Sequence, residues 1–133
     1  MTGITDLAVL LRDMQPALRG GEYVYCTLPR DDARDLAGLH PLGTFLEDEG
    51  LTLILDRATA DREGLSYSAP MRCITLTVHS ALEAVGLTAA VSAALTRHGI
   101  SANVVAAFYH DHIFVPAADA DRAMVALADV TPV

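Results

Sequence analysis

The chain has no lysine, and all nine of its cations are arginine. Without an ε-amino group no Schiff base can form on a side chain, and a Gly-Lys-Ser/Thr phosphate loop cannot be built. Positive charge of any kind is scarce. Nine basic against seventeen acidic residues leave a net charge of −8, a field that repels nucleic acid and anionic membrane, so neither partner is expected. Cysteine is nearly absent. Cys26 and Cys73 are the two in the chain, and both fall in segments that read as strands, where a small buried hydrophobe is the commoner role than a disulfide or a metal ligand. Long apolar runs are missing too: none approaches the ~18 residues of a membrane span. Met1 to Leu11 also lacks the basic start of a signal peptide, so a cytoplasmic location is expected.

What the sequence does have is a large apolar fraction, 52% of 133 residues. That suits one compact unit or two small halves, and a ~60-residue half alone would bury only about 60% of its unfolded surface, so the halves are expected to pack together. The clearest signal runs from Arg72 to Pro116. Ile74, Leu76 and Val78 alternate with Cys73, Thr75, Thr77 and His79, the period of a strand with one core face. Leu87, Ala90, Val91, Ala94 and Leu95 then recur at helical spacing, and Arg97, His98 and Gly99 supply cations and a stop. Asn103 to Tyr109 and His112 to Pro116 read as a hairpin turning at His110 and Asp111. Pairing Tyr109 with His112 puts Val104, Ala106, Phe108, Ile113 and Val115 on the core face, and Val105, Ala107 and Phe114 on an opposite face too apolar to be left solvated. Asp119 can cap a last helix lined by Ala120, Ala123, Met124, Leu127 and Ala128. The element order is β-α-β-β-α.

The earlier residues read less cleanly. Leu7, Leu10, Leu11 and Met14 mark a first helix that Pro16 helps to end, and Gly20-Gly21 lead into a strand from Glu22 to Leu28. Either face of that strand could be inward. Arg30 to Gly50 is the longest irregular stretch, with a helical turn possible over Asp32 to Leu39 and an acidic run Glu47-Asp48-Glu49. Leu51 to Leu55 reads as a strand, Ala58 to Leu65 as a short helix and Ser66 to Pro70 as a linker. Residues 4 to 65 and 87 to 128 share the order α-β-connection-β-α, which suggests an old duplication.

Leu76-Thr77-Val78, a loop closing on Val85-Gly86-Leu87, the following helix and Asn103-Val104-Val105 resemble the ACT domain, a ferredoxin-like small-molecule-sensing module. More narrowly, His79 to Leu87, His110 to Pro116 and Glu49-Gly50-Leu51-Thr52 resemble a small bacterial family of paired ACT-like domains, similar to the cytosolic arginine sensors of eukaryotes. The resemblance implies an α+β fold of tandem ferredoxin-like halves with antiparallel sheets, residues 1–68 and 69–133. An ACT domain ends on a fourth strand, for which little chain remains after Asp129. Strand exchange between the halves is therefore expected.

Three functions compete. The first is an amino-acid-binding regulatory protein with no cofactor. Ser80 follows the first strand of the second half, where a helix N-terminus favours a carboxylate, and Asn103 can offer an amide; the plainer roles are a helix cap and a strand start. In the proteins it resembles, the pocket lies between the halves, which would bring Ser80, Ala81 and Leu82 to Glu49, Gly50 and Leu51. Glu49, with Asp48 as the weaker candidate, would then take the α-amino group, and Gly50 would permit close approach. A solvated acidic loop is the alternative. The second function is a ligand-free interaction or oligomerisation module, a homodimer included. The third is a metal enzyme using His79, His110 and His112, whose spacing lacks a local third ligand and suits solvated strand-end and turn histidines better.

Overall fold

Pro16, expected to help close a helix, is the first residue of a strand. In the computed structural model, which describes residues 14–77 and 86–130, the elements run β1 (Pro16–Leu18), β2 (Tyr23–Leu28), a 3-10 turn (Ala37–Leu39), β3 (Gly43–Leu46), β4 (Leu51–Asp56) and α1 (Arg57–Arg62), then β5 (Met71–Leu76), α2 (Leu87–Arg97), β6 (Asn103–Ala106), β7 (Asp111–Pro116), a second 3-10 turn (Ala117–Asp119) and α3 (Ala120–Ala128). They form two compact units. One is contiguous, Gly21–Met71; the other is composite, joining the segment that ends at Gly20 to the chain from Arg72 onward.

The contiguous unit is a three-stranded antiparallel sheet in the order β3-β4-β2. Val24, Cys26 and Leu28 face inward with Leu53 and Leu55, and Ala60 and Leu39 close over them. This decides the face that the alternation of β2 left open: the aliphatic side is core, and Tyr25 and Thr27 lie on the other. Asp56 caps α1 by accepting a hydrogen bond from the Ala58 amide at 3.0 Å. β3 corrects the reading of Arg30–Gly50 as one irregular connection. It is four residues long and pairs Gly43 with Ile54 through Leu46 with Leu51.

The composite unit pairs β1 with β5, Pro16 opposite Leu76 and Leu18 opposite Ile74, and continues through β7 to β6. Here is the missing fourth strand, taken from before β2. Ile74, Leu76, Ile113 and Val115 present one face to Leu87, Val91 and Leu95 of α2 and to Ala123, Ala126 and Leu127 of α3. Helix α2 ends as its sequence asks: Gly99 adopts φ +70°, its amide bonds the Thr96 carbonyl, and the Ile100 amide bonds Leu95. That double bond satisfies carbonyls a helix end otherwise leaves open, and buried Ile100 packs in the same cluster as Leu95.

Several expectations fail in this unit. The hairpin pairs Val105 with His112 and Ala106 with Asp111, not Tyr109 with His112. The shift is even, so the faces survive, but Ala107–His110 become a loop closed by the Ala107 amide on the His110 carbonyl. Phe108 is consequently 74% exposed rather than core, stacked edge-on against Tyr109. Phe114, by contrast, is only 2% exposed. Asp119 makes no side-chain cap and instead pairs with Arg122 at 2.9 Å. Ala128 is exposed, and Ala126 takes the buried place. The expected first-helix residues Leu7, Leu10 and Leu11, together with Val78 and His79 of the expected strand, lie outside the described residues.

Candidate functional site

Glu47, Asp48 and Glu49 form the tip of the β3–β4 hairpin, where the amides and carbonyls of Glu47 and Gly50 face one another. All three carboxylates are exposed. Asp48 lies 3.5 Å from Arg30, whose guanidinium also donates to the Glu47 carbonyl, and Glu47 accepts the Thr52 hydroxyl. Gly50, buried behind the tip, has a specific reason to be glycine: a Cβ there would lie 2.8 Å from both the Leu28 carbonyl oxygen and Thr27 Oγ1. Leu51 is half-buried and starts β4. Of the other expected ligand contacts, Asn103 is an exposed residue at the start of β6 in the composite unit. Ser80, Ala81 and Leu82 lie outside the described residues.

A cavity lies in the contiguous unit, one strand over from Gly50. Its volume is about 410 Å³, and Tyr25, Cys26, Thr27 and Thr52 form its sheet side while Ser66 to Ser68 form the other. Its origin lies in backbone hydrogen bonding. Tyr25 turns its amide and carbonyl away from β4, and Ser68 takes both: the amide donates to Ser68 Oγ at 3.1 Å and the carbonyl accepts from the Ser68 amide at 3.1 Å. A side-chain oxygen therefore replaces a strand carbonyl, and the chain splays from β2 at that point. Tyr67 leaves the sheet edge altogether. Its ring packs against the core and its hydroxyl donates to Asp61 at 2.8 Å while accepting from Arg57 at 3.2 Å. Arg57 is tied in turn to Glu22 at 2.7 Å, and that charge-assisted bond, with the Tyr67 hydroxyl, holds its pKa above the ordinary arginine value. The wall carrying Ser66 is thus anchored by a chain of four polar groups.

The residues lining the cavity are uncharged: two tyrosines, two threonines, two serines and Cys26 with its thiol. Burial pushes that thiol above its ordinary pKa, which makes it a poor nucleophile. Such a lining can donate and accept hydrogen bonds but holds no carboxylate or imidazole to act as a base. In the composite unit, His112 Nδ1 lies 2.9 Å from Thr75 Oγ1 and His98 Nδ1 donates to the Ala94 carbonyl at 2.9 Å. His79 lies outside the described residues, among which no three His, Cys, Asp or Glu side chains are grouped to hold a metal. The sequence carried one sign of the cavity, the polar side Tyr25 and Thr27 of β2; Ser66 to Pro70 read only as a linker.

Two models of a family described as ACT domain match the chain, one over residues 2–72 and the other over residues 68–129. No curated protein matches. Among solved structures, a Vibrio cholerae protein of unknown function, described as a possible transport protein, is 51% identical with a TM-score of 0.84, over 96% of this chain and 97% of that one. An Agrobacterium tumefaciens protein is 21% identical with a TM-score of 0.72, covering 87% of each chain. The regulatory subunit of aspartate kinase from Thermus thermophilus shares 8% identity and a TM-score of 0.56, over 86% of this chain and 95% of that one, a likeness of fold.

Proposed function

Because the chain belongs to the ACT-domain family and carries two such domains, we propose that it is a cytoplasmic regulatory protein that senses a free amino acid and does no chemistry on it. The observation that carries this reading is the tandem match, which together spans residues 2–129. The ferredoxin-like fold shared with a regulatory subunit of aspartate kinase supports it. So does an uncharged cavity lining whose thiol is held protonated by burial. The linear halves 1–68 and 69–133 are taken as the repeat units of the sensor, and Ser80, Ala81, Leu82, Glu49, Gly50, Leu51 and Asn103 remain its proposed ligand contacts.

Thermal-shift measurement of the full chain against each proteinogenic amino acid tests the proposal. A ligand at one hundred times its dissociation constant adds about 2.7 kcal/mol of stability, so a binder raises the melting temperature by several degrees. A flat response to all of them overturns the sensor reading.

A second reading, an interaction module assembling as a homodimer, is favoured by exposed apolar side chains. Phe45 is 69% and Leu46 57% exposed on β3, an end strand of its sheet, and the other unit separately leaves Phe108 and Tyr109 solvated. An apolar edge strand left in water invites pairing with another chain. Sedimentation of wild type and Phe45→Lys separates the cases: a dimer that the variant dissolves supports this contact, and a wild-type monomer excludes it.

A further inference from the structure

Among the described residues, the edge of β2 has a vacant place opposite Thr27. Tyr23 pairs with Met71, and antiparallel register carried along from that pair would set Tyr67 opposite Thr27. Tyr67 is not there, because Ser68 takes up Tyr25 one residue early and the Tyr67 side chain is drawn to Asp61 and Arg57. Parity along the strand fixes where Thr27 points. Tyr25 directs its amide and carbonyl away from β4, so Thr27, two residues on, does the same. Among the described residues nothing accepts that amide or donates to that carbonyl, and both open on the cavity of about 410 Å³.

We infer that this place binds a free α-amino acid as a one-residue strand, an inference that rests on the sensor reading and assigns it a site distinct from the Glu49 and Ser80 contacts proposed above. In an antiparallel hydrogen-bonded pair, two facing residues exchange both of their N–H···O bonds. A zwitterion meets that pattern with charge added: its ammonium donates to the Thr27 carbonyl and its carboxylate accepts the Thr27 amide, each bond strengthened by the ligand's charge. The two requirements are set by one residue of backbone, so only a ligand with amine and carboxylate on the same carbon satisfies both. The ligand side chain then leaves the sheet on the face of Thr27, toward the hydroxyls of Tyr25 and Thr52. Thr52 gives its hydroxyl proton to Glu47, so its oxygen is oriented to accept. The Glu47 carboxylate bonded to Thr52 would repel an anionic ligand side chain directed along that face. The site selects amino acids with neutral polar side chains over aspartate and glutamate.

The test is calorimetric titration of the full chain with serine, threonine, asparagine, glutamine and the four charged amino acids, repeated on Thr27→Pro and Ser66→Tyr. Proline removes the outward amide without costing a ladder bond to β4, and tyrosine at exposed Ser66 fills the cavity. Expected are binding of a neutral polar amino acid, a loss of at least tenfold in both variants, and a ligand-induced shift of the Thr27 amide resonance in wild type. If an amino acid binds with unchanged affinity to Ser66→Tyr and leaves the Thr27 amide unmoved, the site is wrong while the sensor reading stands. Should Thr27→Pro fail to fold, the resonance and Ser66→Tyr decide alone. Tighter binding of aspartate or glutamate overturns the selectivity, and no binding by any amino acid overturns the sensor reading and the site together.

Discussion

Gly50 has almost no room for a side chain, since its missing Cβ would press on backbone at Leu28 as well as on the Thr27 hydroxyl. A hydroxyl can rotate away and a paired strand cannot. Gly50→Ala is expected to lose roughly 1–3 kcal/mol, the usual cost of forcing a methyl group into filled space, read as a lower denaturation midpoint at unchanged slope. The two phenylalanines of the β6–β7 region give a matched pair of predictions. Phe114→Ala should cost about 3–5 kcal/mol because the ring is 2% exposed. Phe108→Ala should stay within about 0.5 kcal/mol because its ring is in water, and reversal of that order in urea melts would reassign the core. His112 carries a pH dependence. Burial, then the nearby positive charges of Arg19 and His110, hold its pKa below the ordinary 6.5, with Asp111 opposing them. Protons therefore bind the unfolded chain more readily, so stability attributable to His112 is full above pH 6.5 and is lost as pH falls through that value toward the lower folded pKa. Wild type should lose more stability than His112→Gln between pH 8 and 5; parallel curves would remove His112 from the account. Asp111 titrates in the opposite sense, its pKa raised by burial, so the comparison must be made between variants and not on wild type alone.

Helices and core strands were legible in the sequence because their periods and stop signals agree. Leu87 to Gly99 shows this: one apolar stripe, cations at the end, and a glycine whose positive φ the structure uses. Short edge strands were not legible. Gly43-Thr44-Phe45-Leu46 has no apolar alternation, since Phe45 and Leu46 are both in water, and it becomes a strand only through β4. The same lack of local instruction misplaced the β6–β7 register. A two-residue turn without glycine is strained for L residues, and the chain instead uses four loop residues, which strands Phe108 outside the ladder. The cavity was hidden for a related reason. It depends on Ser68 supplying a hydroxyl where a strand would supply a carbonyl, a substitution that a reading of Ser66 to Pro70 by composition cannot separate from a linker.

Taken whole, the chain orders its two units unlike its sequence. Gly21–Met71 is a single uninterrupted segment, while the other unit is closed by Pro16–Leu18, residues that precede that segment. No described helix is long and apolar enough to cross a membrane. The borrowed strand also bears on how the protein is made. Residues 21–71 bring all their own strand partners and can condense as soon as they leave the ribosome, whereas Leu18 must wait for Ile74, so the composite unit closes late and pays the entropy of a long loop. Synthesised alone, residues 69–133 would carry β5 with the bonds of Ile74–Leu76 toward β1 unmade, an edge prone to aggregation. A peptide of residues 14–20 added in trans should restore solubility and a cooperative melt to that fragment, whereas the same peptide carrying Ala17→Pro and Leu18→Arg should not. Rescue by both peptides alike would mean that β1 is no lock. If the strand acts as described, translation order makes one unit a folding scaffold and leaves the other waiting for a piece already synthesised.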